Sequence, residues 1–210
     1  MTKLFALAAA MILTTTSAAL AHHPLGGMTP TSFTEGFLSG LGHPVIGFDH
    51  LAFVIAVGLI AAFHRNLVLM PAAFVTGTVG GAFLTLAAVT LPLAELVITG
   101  SVIAGGAFAM RGRVTDLRVA GALAAGAGLF HGGAYGATIV GAEPTPIFAY
   151  LAGFGMVQMA IAIGVAVMVN NIWKSLDAGA LKPRLAGAVI AGVGVTYMVE
   201  IVEGVIFPAM

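Results

Sequence analysis

The stretch PVIGFDHLAFVIAVGLIAAF, residues 44–63, decides how the rest of the chain is read. It carries just two ionisable side chains, Asp49 and His50. Its length is about that needed for a helix to cross about 30 Å of hydrocarbon. The chain around it is of the same kind: of 210 residues, 60% are hydrophobic and 8% charged, too few charges to give a soluble domain its surface. Comparable stretches lie at 67–91, 93–110, 117–140, 147–169 and 185–207. The expected fold is an all-α, polytopic membrane helical bundle, with about six transmembrane helices over residues 44–210 embedded in a lipid bilayer.

The beginning of the chain reads as an export signal. Lys3 precedes an apolar run over 4–13, and Ala19-Leu20-Ala21 has the small-x-small form of a cleavage site. Residues 1–21 are therefore expected to be a signal peptide. Residues 22–43 then form a periplasmic N-terminal segment, with a short interfacial helix over 31–41. Arg65, Arg111, Arg113, Arg118, Lys174, Lys182 and Arg184 all fall at alternate connections, whereas 90–92 and 141–145 carry no Lys or Arg. The positive-inside rule makes the basic connections cytoplasmic. Both mature termini would then be periplasmic, in a bacterial inner membrane, as signal cleavage independently requires.

Several function classes are excluded. The formal net charge of zero argues against a nucleic-acid partner. Without cysteine there is neither a disulfide framework nor a thiolate metal site. Without a P-loop there is no nucleotide engine, and no enzymatic activity is expected. Gly77 and Gly81, and Gly128, Gly132 and Gly136, repeat at four-residue spacing, which lets helix backbones approach closely inside lipid. A homo-oligomer is allowed but not required.

Ionisable groups within hydrocarbon are costly and usually face a cavity or one another. The candidates are His43, Asp49 and His50 on the first span, Glu95 opening the third, His131 on the fourth, and Glu200 and Glu203 on the sixth. At 1.5 Å per residue, His50 lies about 9 Å below the outer end of its helix, His131 about 13 Å and Glu200 about 10 Å below theirs. They are expected to converge on a polar site open to the outside. His43 precedes Pro44, and a residue before proline is biased out of helical geometry, so His43 is expected to cap the first span from outside as an entry ligand. Asp49 would either ligate or orient His50. His22 and His23, beside the new α-amine, form a loose chelator. His64 reads as an interfacial residue, and Gln158 as a candidate lining of a path through the fifth span.

Two runs carry a resemblance. His43-Pro44-Val45-Ile46-Gly47-Phe48-Asp49-His50 resembles the first-span signature of the HupE/UreJ family, His-Pro-x-x-Gly-x-Asp-His. Phe130-His131-Gly132-Gly133-Ala134-Tyr135-Gly136 resembles its second signature. The resemblance covers essentially the whole chain. It implies a nickel or cobalt permease, associated with hydrogenase, urease or cobalamin maturation proteins, with metal-binding roles for His43, Asp49, His50 and His131. Gly133 and Tyr135 stand where many nickel-associated members have His, and Ala137 where Glu is common, which makes cobalt the more credible ion. Glu143 is a candidate replacement for that acid.

The expected function is secondary import of Ni2+ or Co2+, the ion being cargo and no cofactor being tightly bound. Neutral imidazole suits these ions, and carboxylates offset their charge. The alternatives are a membrane cytochrome with His50 and His131 as axial haem ligands, a metal-dependent membrane hydrolase, and a metallochaperone docking site.

Overall fold

The computed structural model describes residues 28–207. The signal peptide predicted at 1–21, and His22 and His23, lie outside these residues. Seven α-helices follow: α1 (Phe33–Ile46), α2 (Phe48–Ala61), α3 (Leu69–Leu86), α4 (Ala94–Met110), α5 (Leu117–Gly136), α6 (Pro144–Val167) and α7 (Leu181–Ile206). A 3-10 turn at Ala137–Ile139 extends α5, and a π turn at Met168–Ile172 extends α6. The described residues contain no strand.

Local chemistry sets the ends. Ser32 caps α1 by accepting from the Glu35 amide at 3.2 Å, while the Glu35 carboxylate accepts from the Thr31 amide and hydroxyl, a close relative of the capping box. Asp116 caps α5 through the Arg118 and Val119 amides. Pro144 opens α6, where its missing N–H costs nothing.

By length and composition, α3, α6 with its π turn, and α7 can each cross a membrane. The α1–α2 pair makes a fourth candidate, bent by 81°. The remaining two helices fit the six expected stretches less squarely: α4 is a shorter apolar helix of 17 residues, and α5 has 20 but is rich in glycine and alanine.

The bend corrects one expectation. The break does not precede Pro44: His43 and Pro44 both lie inside α1, and the chain turns at Gly47. Proline leaves only the Gly40 carbonyl without its usual donor, and α1 ends within one turn, so the helix tolerates it. Gly47 provides the corner because a Cβ there would stand 2.9 Å from the His50 ring. The helix expected at 31–41 therefore runs on through the proline and is continuous with the residues assigned to the first span.

Three close helix pairs organise the bundle, each sealed through glycine. On α3 and α5, Gly77 meets Ala125, Gly81 meets Leu129, Gly128 meets Phe74 and Gly132 meets the backbone of Thr78. The predicted glycine ladders thus face each other. On α1 and α6, Gly36 packs on Pro146, Gly40 on Tyr150 and Gly153 on Phe37; α2 continues along α6 with Gly58 on Ala162. On α4 and α7, Gly106 meets Ala191 and Gly194 meets Ile103. Positions rise together in the first two sets and run oppositely in the third. Helix α3 is therefore parallel to α5, α1 runs parallel to α6, and α4 is antiparallel to α7. Without a hydrophobic drive in lipid, such close backbone approach is what holds helices together.

Candidate functional site

Two apolar clusters meet inside the bundle, one around Tyr135, Tyr150 and Phe154, the other around Phe53, Phe74, Val57 and Ala162. The histidines lie where they adjoin. His50, in the first turn of α2, and His131, fully buried on α5, bring their Nδ1 atoms to 2.7 Å. Phe53 stacks on the His131 ring at 4.7 Å, and Phe74 meets it edge-on at 5.8 Å.

Two imidazole nitrogens at hydrogen-bond distance need one donor and one acceptor. Ser101 decides which is which. Its hydroxyl donates to the Ile98 carbonyl at 2.6 Å, so at 2.9 Å from His131 Nε2 it accepts from the imidazole N–H. His131 therefore keeps its proton on Nε2 and presents an Nδ1 lone pair, and His50 donates to it. Ser101 fixes the tautomer, as hydrogen-bonded neighbours of metal-binding histidines commonly do. Ser101 also borders a mostly apolar cavity of about 540 Å³ between α4 and α5, with Phe53, Val97, Ala104 and Leu123 among its walls.

His43 forms a neighbouring station. It is buried, and its Nδ1 lies 2.7 Å from the Tyr150 hydroxyl. Tyr135 stands between the stations, with ring centroids 4.7 Å from His43 and 4.4 Å from His50. Its hydroxyl is buried and without a hydrogen-bond partner among the described residues. Asp49 is half-buried and accepts the His50 backbone amide at 2.8 Å, a favourable place for a carboxylate at a helix N-terminus.

The expected convergence is thus met unevenly. His50 and His131 touch, His43 is one aromatic ring away, and Asp49 borders the pair. Glu200 and Glu203 are exposed on α7. Among the described residues, no three His, Cys, Asp or Glu side chains group closely enough to hold a metal ion together. His43 does not cap the span from outside, because it is held within α1. His64 stands apart in the α2–α3 connection, where burial lowers its pKa and nearby Asp116 partly offsets this. Glu95 and Glu143 are exposed at helix starts and join no cluster of possible metal ligands among the described residues. Sequence reasoning missed Ser101, Tyr135 as a divider, and Tyr150. Tyr135 and Tyr150 are polar-tipped aromatics within apolar helices; Ser101 carried no pattern of its own.

Chemically, a histidine pair with one preset tautomer can chelate a small cation. Imidazole–metal bonds of about 2.0–2.1 Å place two adjacent ligand nitrogens about 3.0–3.4 Å apart. The rings need only part by a few tenths of an ångström, with the His50 proton moving to Nε2.

The fold and this pair together define an all-helical membrane protein with a part-buried imidazole couple. The chain belongs to the HupE/UreJ family: the family description "HupE / UreJ protein" matches residues 9–197. The protein named Protein HupE, from Rhizobium leguminosarum bv. viciae, is 30% identical over 194 residues, covering 89% of this chain and 97% of that protein. No solved structure matches the chain.

Proposed function

We propose that the chain is a secondary, non-ATPase permease importing a divalent transition-metal ion, nickel or cobalt, for hydrogenase, urease or cobalamin maturation. The observation that carries the reading is the 2.7 Å contact between His50 and His131, contributed by different helices of an apolar bundle. Membership of the HupE/UreJ family supports it. Two borderline nitrogen donors suit Ni2+ or Co2+, and Asp49 offsets their charge. Ligands this few can release what they bind, which permeation requires. Two imidazole nitrogens in direct contact favour a shared small ion over axial ligands on opposite faces of a haem.

The signal peptide, six passes and periplasmic termini belong to the same proposal. Parallel α3 and α5, parallel α1 and α6, and antiparallel α4 and α7 are what strict alternation of six passes gives, with the bent α1–α2 pair as the first pass. Under the positive-inside reading, His43 and Tyr150 lie nearer the periplasm than Gln158.

Uptake of labelled nickel and cobalt by cells with and without the chain tests the proposal. Entry of one ion well above the level of cells lacking the chain is expected; equal entry of both ions in the two cultures refutes permeation.

Two further outcomes follow. Ser101→Ala releases the His131 tautomer and is expected to weaken ion affinity about 10–100-fold with the fold intact, read as a raised KM for uptake. Acidifying the periplasmic side from about pH 7 to about pH 5 adds protons that compete with the ion for the ligand nitrogens, so ligation and uptake are expected to fall and to recover on return to neutrality.

A further inference from the structure

Helices α4 and α5 follow one another in the chain but leave between them the cavity of about 540 Å³ that Ser101 borders. Small residues create the gap: a Cβ added at Gly100 or Gly126 would meet nothing within 4 Å. Its floor includes the buried Phe53 and Met70, and it opens sideways past the exposed Ala104, Leu123 and Gly126. It is therefore a groove facing lipid. Along α4 its wall runs from Val97 to Phe108, about 16 Å of helix at 1.5 Å per residue, and continues to Thr115 in the connection to α5. That is about half of a bilayer's 30 Å of hydrocarbon, the depth of one leaflet.

The end at Thr115 is basic. The Arg111 guanidinium lies 5.1 Å over the Phe108 ring and donates to the Thr115 hydroxyl at 3.3 Å, so both contacts are with walls of the groove. Its remaining N–H donors bond no group among the described residues. Arg113 is exposed two positions on, and Arg184 reaches across from α7 to donate to the Met110 carbonyl at 3.1 Å. The acids at this end are committed locally: Asp116 caps α5, and Asp177 accepts the Gly179 amide at 2.9 Å. A helix from a second copy in the same orientation would fill the apolar length but bring only its own Asp116 and Asp177 to the level of the arginines. A lipid with an anionic headgroup answers both parts.

We propose that the groove between α4 and α5 seats one acyl chain of an anionic phospholipid, with the phosphate at Arg111, flanked by Arg113 and Arg184. The inference goes beyond the permease reading and stands without it. The positive-inside rule assigns the site to the inner leaflet, whose anionic lipids attract basic segments. A planar guanidinium suits a phosphate, which it meets with paired N–H donors. The far part of the acyl chain rests on Phe53 and beside Ser101, which stack on and bond to His131, so the lipid closes that side of the histidine couple.

Native mass spectrometry of the purified full chain in neutral detergent tests this, with phosphatidylglycerol or phosphatidylcholine of the same chain length added. One phosphatidylglycerol is expected to stay bound, about tenfold or more tighter than phosphatidylcholine, since each arginine beside an anionic headgroup is worth about fivefold. Arg111→Gln is expected to lose about fivefold for phosphatidylglycerol and nothing for phosphatidylcholine. Gly126→Leu fills the groove and is expected to hold neither lipid there. Gly100→Leu, which fills it from the opposite wall, is expected to repeat the loss, and melting temperatures near wild type show that both variants fold. Equal affinity of the wild type for the two headgroups overturns the proposal, as does undiminished phosphatidylglycerol binding by Arg111→Gln or by both folded leucine variants. A lipid-free wild-type dimer that the leucine variants split into monomers overturns it too, and gives the groove to a second copy.

Discussion

His50→Ala and His131→Ala are each expected to bring nickel or cobalt uptake down to that of cells lacking the protein, a fall of about 100-fold or more. Changing a residue that merely orients a ligand typically costs about 10–100-fold in metal affinity or activity, and these side chains are the proposed ligands themselves. The couple has no reserve. No three His, Cys, Asp or Glu side chains gather there among the described residues, so a single substitution leaves one imidazole. Protein amounts in the membrane should stay near wild type for His50→Ala, because His50 is only half-buried. Asp49→Ala is expected to be milder: it keeps both imidazoles but removes a carboxylate bordering the couple and one His50 amide contact. Labelled-ion uptake normalised to membrane protein reads all three. Full uptake by either histidine variant would show that the ion passes elsewhere.

The second large effect is on stability. A Cβ at Gly132 would overlap the Thr78 carbonyl and backbone. Replacing glycine by alanine within a helix gains up to about 1 kcal/mol of propensity. Overpacking a tight interface costs about 1–3 kcal/mol, and here the obstacle is main chain rather than a side chain that can swing away. The penalty wins, and α3 and α5 must separate. Gly132→Ala is therefore expected to unfold at lower temperature in detergent and Gly132→Val to accumulate poorly. Gly126→Ala and Gly192→Ala, where an added Cβ meets nothing within 4 Å, should match wild type or exceed it. The single tryptophan, Trp173, gives a fluorescence readout. Equal stability of Gly132→Ala and Gly126→Ala would contradict the packing described for α3 and α5.

The helical class, the glycine seams and the His50–His131 meeting were legible in the sequence, for definable reasons. An apolar run of about 20 residues has few ways to satisfy its backbone in lipid, and four-residue glycine spacing marks a helix face by geometry alone. Depth along oppositely directed helices brought His50 and His131 to similar levels. The position of the bend was not legible. Pro44 is the stronger punctuator by local rules, yet the chain turns at Gly47, because the bend must also leave room for the His50 ring. The placement of Glu200 and Glu203 depends on the rotation of α7, which a helix hydrophobic nearly all round does not encode; both are exposed. Ser101 was invisible for another reason. A lone serine in a membrane helix usually bonds its own backbone, as this one does to Ile98, and its second role appears only once α4 and α5 are packed.

X-ray absorption on the purified, Co2+-loaded protein tests most directly whether His50 and His131 hold one ion between them. Two imidazoles on the cobalt in wild type are expected, with one remaining in His131→Ala. An imidazole count unchanged by that substitution, or a wild-type spectrum with oxygen ligands alone, would contradict the shared site.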